Sequence, residues 1–267
     1  MNIDELLALS ALHKQQPEHA VIIDKQWSQG RTVYGGISAA LLYSAAKSHI
    51  SDDRVMRSMS TNFVGPLLSE HPFTITVEIV REGKNVSQLQ ARAIQNHKTC
   101  VISQVCFGQS RDSNVIVVNN DKHAMQVPRK GNFIPQIPKI TPKFLKHFDL
   151  SIQEGGVPFL GGKNATYHGW MRYKKAPLSF SDAHLVGIID AWPPTLLQML
   201  KGPSPTSTVS WNLEFIHPHR PILGTDWLAY QAHTRQAAAG YGHTEANIWD
   251  ATGELIAISR QTVAVFD

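Results

Sequence analysis

Apolar residues recur at helical spacing in two separate stretches of the chain, and at strand spacing after each. In the first, Ile37, Leu41, Leu42, Ala45 and Ala46 follow the loop Tyr34-Gly35-Gly36, which predicts a helix within residues 31–50. The small residues Gly36, Ser38, Ala39, Ala40 and Ala46 leave room for close packing, as a helix wrapped by a curved sheet requires. Residues 73–80 then alternate apolar with polar, as a half-buried strand does. Residues 86–95 and 99–107 give two more strands, with turns at 81–84 and 96–98, so an antiparallel meander follows the helix. The second stretch repeats the plan. A helix is expected over 181–200, then strands over 206–215, 227–234, 243–249 and 254–265, with a hairpin at Asp250-Ala251-Thr252-Gly253.

The repetition extends to residue identities. Arg57 to Pro66 aligns with Val209 to Pro218, so that Phe63 meets Phe215 and Pro66 meets Pro218 at an offset of 215 − 63 = 152. Further on, Arg81 meets Arg235 and Ile94 meets Ile248 at an offset of 235 − 81 = 154. The chain therefore reads as a duplicated helix-plus-sheet unit. We divide it into an N-terminal domain, 1–109, a connection, 110–165, and a C-terminal domain, 166–267. The connection loses periodicity and carries Pro128, Pro135, Pro138 and Pro142, with one short helix expected where Thr141 caps and Pro142 takes the first turn.

Composition narrows the class. At 267 residues, each half can bury its own core. No run of 18 apolar residues exists, so no membrane span is expected. The apolar stretch near the N-terminus is short and opens on Asp4-Glu5, which suits a small helix rather than a signal peptide. The net charge of +4 is scattered without basic blocks, which speaks against nucleic acid and suits a small phosphate-bearing partner. Cys100 and Cys106 fall in one predicted strand, roughly 20 Å apart by strand rise, so they are read as free thiols of a cytoplasmic protein.

Asp190 stands out among the polar residues. Helical spacing from Val186 to Leu197 sets it on or beside the buried stripe, where a carboxylate costs several kcal/mol unless paired. The first helix carries no carboxylate in the comparable stretch, so the fold does not need one. Pro193-Pro194 must kink or restart the helix next to it, freeing backbone N–H groups. Thr206, Thr208 and Ser210 share one face of a strand, and Gln261 interrupts an apolar C-terminal strand. Other patterns carry less. Gly36-Ile37-Ser38-Ala39-Ala40 imitates a nucleophile elbow without the parallel strand it needs. No cysteine or carboxylate cluster accompanies His217-Pro218-His219, which reads as a loop pair, so no metal or cofactor is expected.

With these residues in place, the chain resembles the acyl-CoA thioesterases of the thioesterase II (TesB-like) family, which are two fused hotdog domains. The resemblance rests on Val33 to Gly36, Ser58 to Pro66, Val77 to Gly83 and Ala93 to Asn96. In the second half it rests on Asp190 with its prolines, Thr208 to Pro218, Trp227-Leu228, and Trp249 to Gly253 through Gln261. It implies an α+β fold of two long helices, each gripped by an antiparallel sheet, and hydrolysis of acyl-CoA. It implies that Asp190, Thr208 and Gln261 position the attacking water, with Thr206 or Ser210 replacing Thr208 on a register slip. Tyr34, Gly35 and Gly36 would line the substrate, with N–H groups at the helix start facing the oxyanion. A homodimer is also implied. Two rivals remain: an acyl-CoA-binding protein without turnover, and a hotdog hydratase. The hydratase reading wants a histidine five residues after the aspartate, where this chain has Thr195.

Overall fold

A computed structural model describes residues 1–135, 137 and 141–266. Pro138, one of the prolines of the connection, lies outside the described residues. Helix α1, Ile3–Ala11, starts in a capping box in which the Asn2 side chain accepts from the Glu5 N–H and Glu5 accepts from the Asn2 N–H. Helix α2, Gly35–Lys47, is the expected first helix, with ten of its 13 residues buried, so protein surrounds it on nearly every side. Helix α3, Asp182–Ile189, is its counterpart. It is shorter than the 181–200 pattern suggested. Proline disfavours helical geometry at Trp192 and brings no N–H at 193 and 194, so the chain leaves the helix at Asp190 and resumes as a 3₁₀ turn over Thr195–Met199.

Strands β1, Ala20–Val21, and β4, Arg54–Phe63, together with β5, Phe73–Glu82, β6, Val86–Gln95, and β7, Lys98–Gln109, belong to the first half. The ribbon of β2, Ser28–Gln29, and β3, Thr32–Val33, leads into α2. The second half holds β8, Phe148–Glu154, β9, Thr166–Tyr173, β10, Thr206–Phe215, β11, Leu228–Ala238, β12, Tyr241–Trp249, and β13, Leu255–Val265. β4 and β10 start and end 152 residues apart, the offset that the repeat predicts.

All but β2 and β3 form one 11-stranded sheet, ordered β1-β5-β6-β7-β4-β10-β13-β12-β11-β9-β8. The halves follow the same order, β1-β5-β6-β7-β4 and β9-β11-β12-β13-β10, and join where β4 runs antiparallel to β10 with Ser60 opposite Asn212. Such repetition of the order is what a duplicated hotdog unit produces. α2 lies on β6 and β7 and against α1 and α3, so α2 and its counterpart α3 meet inside the curved sheet. Ser10 and Ser44 donate to Leu41 and Leu7 carbonyls, which binds α1 to α2 through polar contacts as well as apolar ones.

The connection is more ordered than its lost periodicity suggested. Its expected helix is a 3₁₀ turn, Lys143–His147, and Pro142 precedes the turn instead of occupying its first position. β8 follows at once and pairs with β9, Phe148 opposite Tyr173. Among the described residues, no helix is long and apolar enough to cross a membrane.

Candidate active site

The C-terminal end of α3 meets the N-terminal end of α2. These ends carry opposite partial charges, so the approach is favourable, and both leave backbone groups without intrahelical partners. The Tyr34 hydroxyl donates to the Gly187 carbonyl at 2.9 Å, serving one of the last carbonyls of α3. Tyr34 offers no side-chain cap to α2. Asp190, at the C-cap of α3, lies against the start of α2 from the other helix, where the Gly36 N–H pulls its carboxyl toward the ionised form.

Glycine is required at this junction. A methyl group at Gly35 would stand 2.9 Å from Asp190 Oδ2 and 3.1 Å from Phe63 Cζ, and one at Gly36 would stand 2.7 Å from the Gly187 carbonyl oxygen. Both distances to oxygen are shorter than van der Waals contact, so only hydrogen at these positions lets the helices close on each other.

Gln261 completes the setting. Its Nε2 donates to Asp190 Oδ1 at 2.8 Å. Gln261 sits on β13 opposite Trp211 of β10 and Thr244 of β12. Trp211 is fully buried, and its indole N–H donates to Ser259 two residues along β13, which fixes the strand beside the amide. Burial pushes the Asp190 carboxyl up to about 7, against the opposing pull of the Gln261 and Gly36 hydrogen bonds. The residue as a whole is partly exposed, while its carboxyl group is surrounded by protein. Tyr34 and Tyr230 near it are held protonated well above the usual phenol range, by burial first and then by the carboxylate charge.

Thr208 is placed differently from Asp190 and Gln261. It pairs with Val263, which lies on the same face of β13 as Gln261, two residues away. Among the described residues its hydroxyl makes no hydrogen bond to either of them. A β-bulge separates Thr208 from Ser210, which pairs with Thr262. Because Thr262 and Val263 point to opposite faces, Ser210 is turned away from the Gln261 face. The expected shared face of Thr206, Thr208 and Ser210 therefore holds only for the first two; a bulge is not visible in residue spacing. Sequence reasoning also passed over Phe63, against Gly35, and Tyr230, which stacks on Trp192 with centroids 5.4 Å apart. An aromatic in a strand carries no sign of which helix end it will meet.

Comparison with known families adds the decisive observation. A family profile described as the acyl-CoA thioesterase C-terminal domain matches residues 121–265, and one described as the acyl-CoA thioesterase N-terminal domain matches residues 23–108. The chain belongs to the acyl-CoA thioesterase family. It is accordingly a thioester hydrolase, built as the double hotdog that its repeat foretold. A relative described as acyl-CoA thioesterase 2 of Haemophilus influenzae is 27% identical over 255 residues, covering 86% of each chain. Among solved structures, a hotdog-fold protein of Alicyclobacillus acidocaldarius superposes with a TM-score of 0.76 at 22% identity, covering 94% of this chain and 92% of that one. The acyl-CoA thioesterase II TesB2 of Mycobacterium marinum gives 0.72 at 15% identity over 100% of this chain and 97% of the other. At such identities these structures bear on the fold of the thioesterase and not on its site.

Proposed function

We propose that this thioesterase hydrolyses acyl-CoA to a free acid and CoA with a water activated by Asp190. The observation that carries the reading is the Asp190 carboxylate, held by Gln261 at 2.8 Å and by the start of α2, with burial raising it to about 7. A base of that strength is near the optimum for proton transfer at neutral pH. Its ionised form takes a proton from water as the water oxygen bonds to the thioester carbonyl carbon. The C–S bond then breaks, and the proton held by Asp190 passes to the departing CoA sulfur. Gln261 keeps the carboxylate oriented. Thr208, on the same face, takes the third position around the water.

Tyr34, Gly35 and Gly36 form the wall that the thioester meets. The Gly36 N–H is engaged by Asp190, so the oxyanion falls to the positive end of α2 at Gly35, whose N–H has no intrahelical acceptor. The division into 1–109 and 166–267 bridged by 110–165, a cytoplasmic setting for the free Cys100 and Cys106, and a homodimer belong to the same reading.

Free-thiol release from short, medium and long acyl-CoAs tests it, with Asp190→Ala as the variant. We expect turnover of some chain lengths and a loss of about 100-fold or more in the variant. A wild type that binds acyl-CoA without releasing thiol would make the protein a carrier, and an active Asp190→Ala would place the site elsewhere.

A further inference from the structure

At the far end of α3 the fold assembles a group that the sequence kept apart. Asp182 is the first residue of α3, and His217 and His219 follow the end of β10. Folding brings one ligand atom of each of the three to within 4.8 Å of the others. The carboxylate whose absence argued against a metal at His217-Pro218-His219 is therefore supplied from 35 residues upstream, 217 − 182 = 35.

The nitrogens point to a cation. His219 Nδ1 lies 2.8 Å from the Arg220 carbonyl oxygen, which can only accept, so Nδ1 carries a proton there and the neutral ring offers its lone pair at Nε2. Among the described residues, that Nε2 is buried with no hydrogen-bond partner. His217 Nε2 is likewise buried and unpartnered, in a side chain only 10% exposed, and stands 3.6 Å from Asp182 Oδ2, too far for a hydrogen bond. A ring N–H given to a backbone carbonyl with the other nitrogen turned inward is the way metal-binding histidines are commonly held. The loop is also braced. Arg220 donates to Asp250 at 2.8 Å and to Asp226 at 3.2 Å, and Tyr43 reaches Asp182 Oδ2 at 3.5 Å from α2. Tetrahedral bonds of about 2.0–2.1 Å need ligand atoms about 3.4 Å apart, so the cluster closes by small side-chain rotations.

We propose that Asp182, His217 and His219 bind one divalent transition-metal ion of the zinc class, with water completing its shell. Two imidazoles and a carboxylate are borderline ligands that suit such an ion better than calcium or magnesium. Asp182 and Asp190 lie at opposite ends of α3, about 12 Å apart by helix rise, so the ion does not touch the reacting groups. It fastens the start of α3 to the end of β10, the strand that carries Thr208.

The test is titration of chelator-treated full-length protein with Zn²⁺ alone, read by equilibrium dialysis with elemental analysis and by thermal melting. We expect one ion per chain and a melting temperature raised by roughly 5 °C at a hundredfold excess over Kd. His217→Gln and His219→Gln should each weaken binding at least about tenfold. His168→Gln, which alters the His168–Glu154 pair on β9 and leaves Asp182, His217 and His219 in place, should leave it unchanged. A Co²⁺ titration of the wild type needs no variant and should give the intense visible absorption of a four-coordinate site. No bound ion, no such spectrum, or binding that follows His168 would overturn the proposal and leave His217 as an ion-pair partner of Asp182.

Discussion

Replacing Asp190 by Asn should abolish turnover and at the same time stabilise the fold, by an amount that depends on pH. The folded carboxyl titrates at about 7 against an ordinary value of 3.8, so the folded protein keeps a proton that the unfolded chain releases. Stability from this group is complete below pH 3.8 and is lost as pH rises to about 7. The shift of about 3 pH units amounts to ~4 kcal/mol lost by pH 8.5, at 1.36 kcal/mol per unit. At pH 5 less than half of that has been lost. Asn carries no charge and escapes both losses. Asn keeps one acceptor oxygen and presents a non-accepting NH₂ in place of the other, so a donor that faced the lost oxygen is left unpaired, which costs ~1–3 kcal/mol. That cost is the same at both pH values, so the pH dependence of the gain isolates the buried charge. Thermal melts of wild type and Asp190→Asn at pH 5 and pH 8.5 read it directly. The variant's advantage should be about 5–10 °C larger at pH 8.5, at ~2–4 °C per kcal/mol for a chain of this size. An advantage that is equal at the two pH values would refute the argument, because the Asp190 carboxylate would then be no more costly folded than unfolded.

The same geometry sets other outcomes. The wild-type kcat/KM should rise with pH through a midpoint near 7, since the base must be ionised, and Gln261→Ala should lower it at least about tenfold and move the midpoint upward, because the amide holds the carboxyl down; a profile that stays in place in the variant would dissociate Gln261 from the base. Gly35→Ala, with its methyl 2.9 Å from Asp190 Oδ2, should lower kcat and cost about 1–3 kcal/mol in urea denaturation, and an unaffected variant would show that the helices need not meet so closely. Thr208→Val should cost about tenfold in kcat, whereas Ser210→Ala, on the opposite face beyond the bulge, should stay within about twofold; the reverse order in a steady-state assay would place the bulge wrongly.

The duplicated plan was legible because periodicity and repeat spacing can be read along the chain: the 152 residues that separate Phe63 from Phe215 also separate the start of β4 from the start of β10. Asp190 was legible as a conflict between a charge and an apolar helix. What escaped was non-local. The bulge after Thr208 depends on how β10 fits β13, and residue spacing has no record of it. The partnership of His217 and His219 with Asp182 exists only once α3 returns to the end of β10. β8 is a different case. Phe148, Leu150 and Ile152 do alternate with polar residues, but the run is only seven residues long and follows a proline-rich stretch whose composition hid it.

The candidate site also shows what duplication made possible. Asp190 and Gln261 belong to the second copy, yet the donor that caps the carboxylate, Gly36, and the aromatic beside it, Phe63, belong to the first. The first copy has no carboxylate at the corresponding helix position, and Asp190, although it stands at the negative end of α3, faces the positive start of α2, which offsets that cost. Two fused copies can diverge, one supplying the acid and the other the helix start that receives it. The fused chain thus builds a single asymmetric site where two identical copies would repeat the same one.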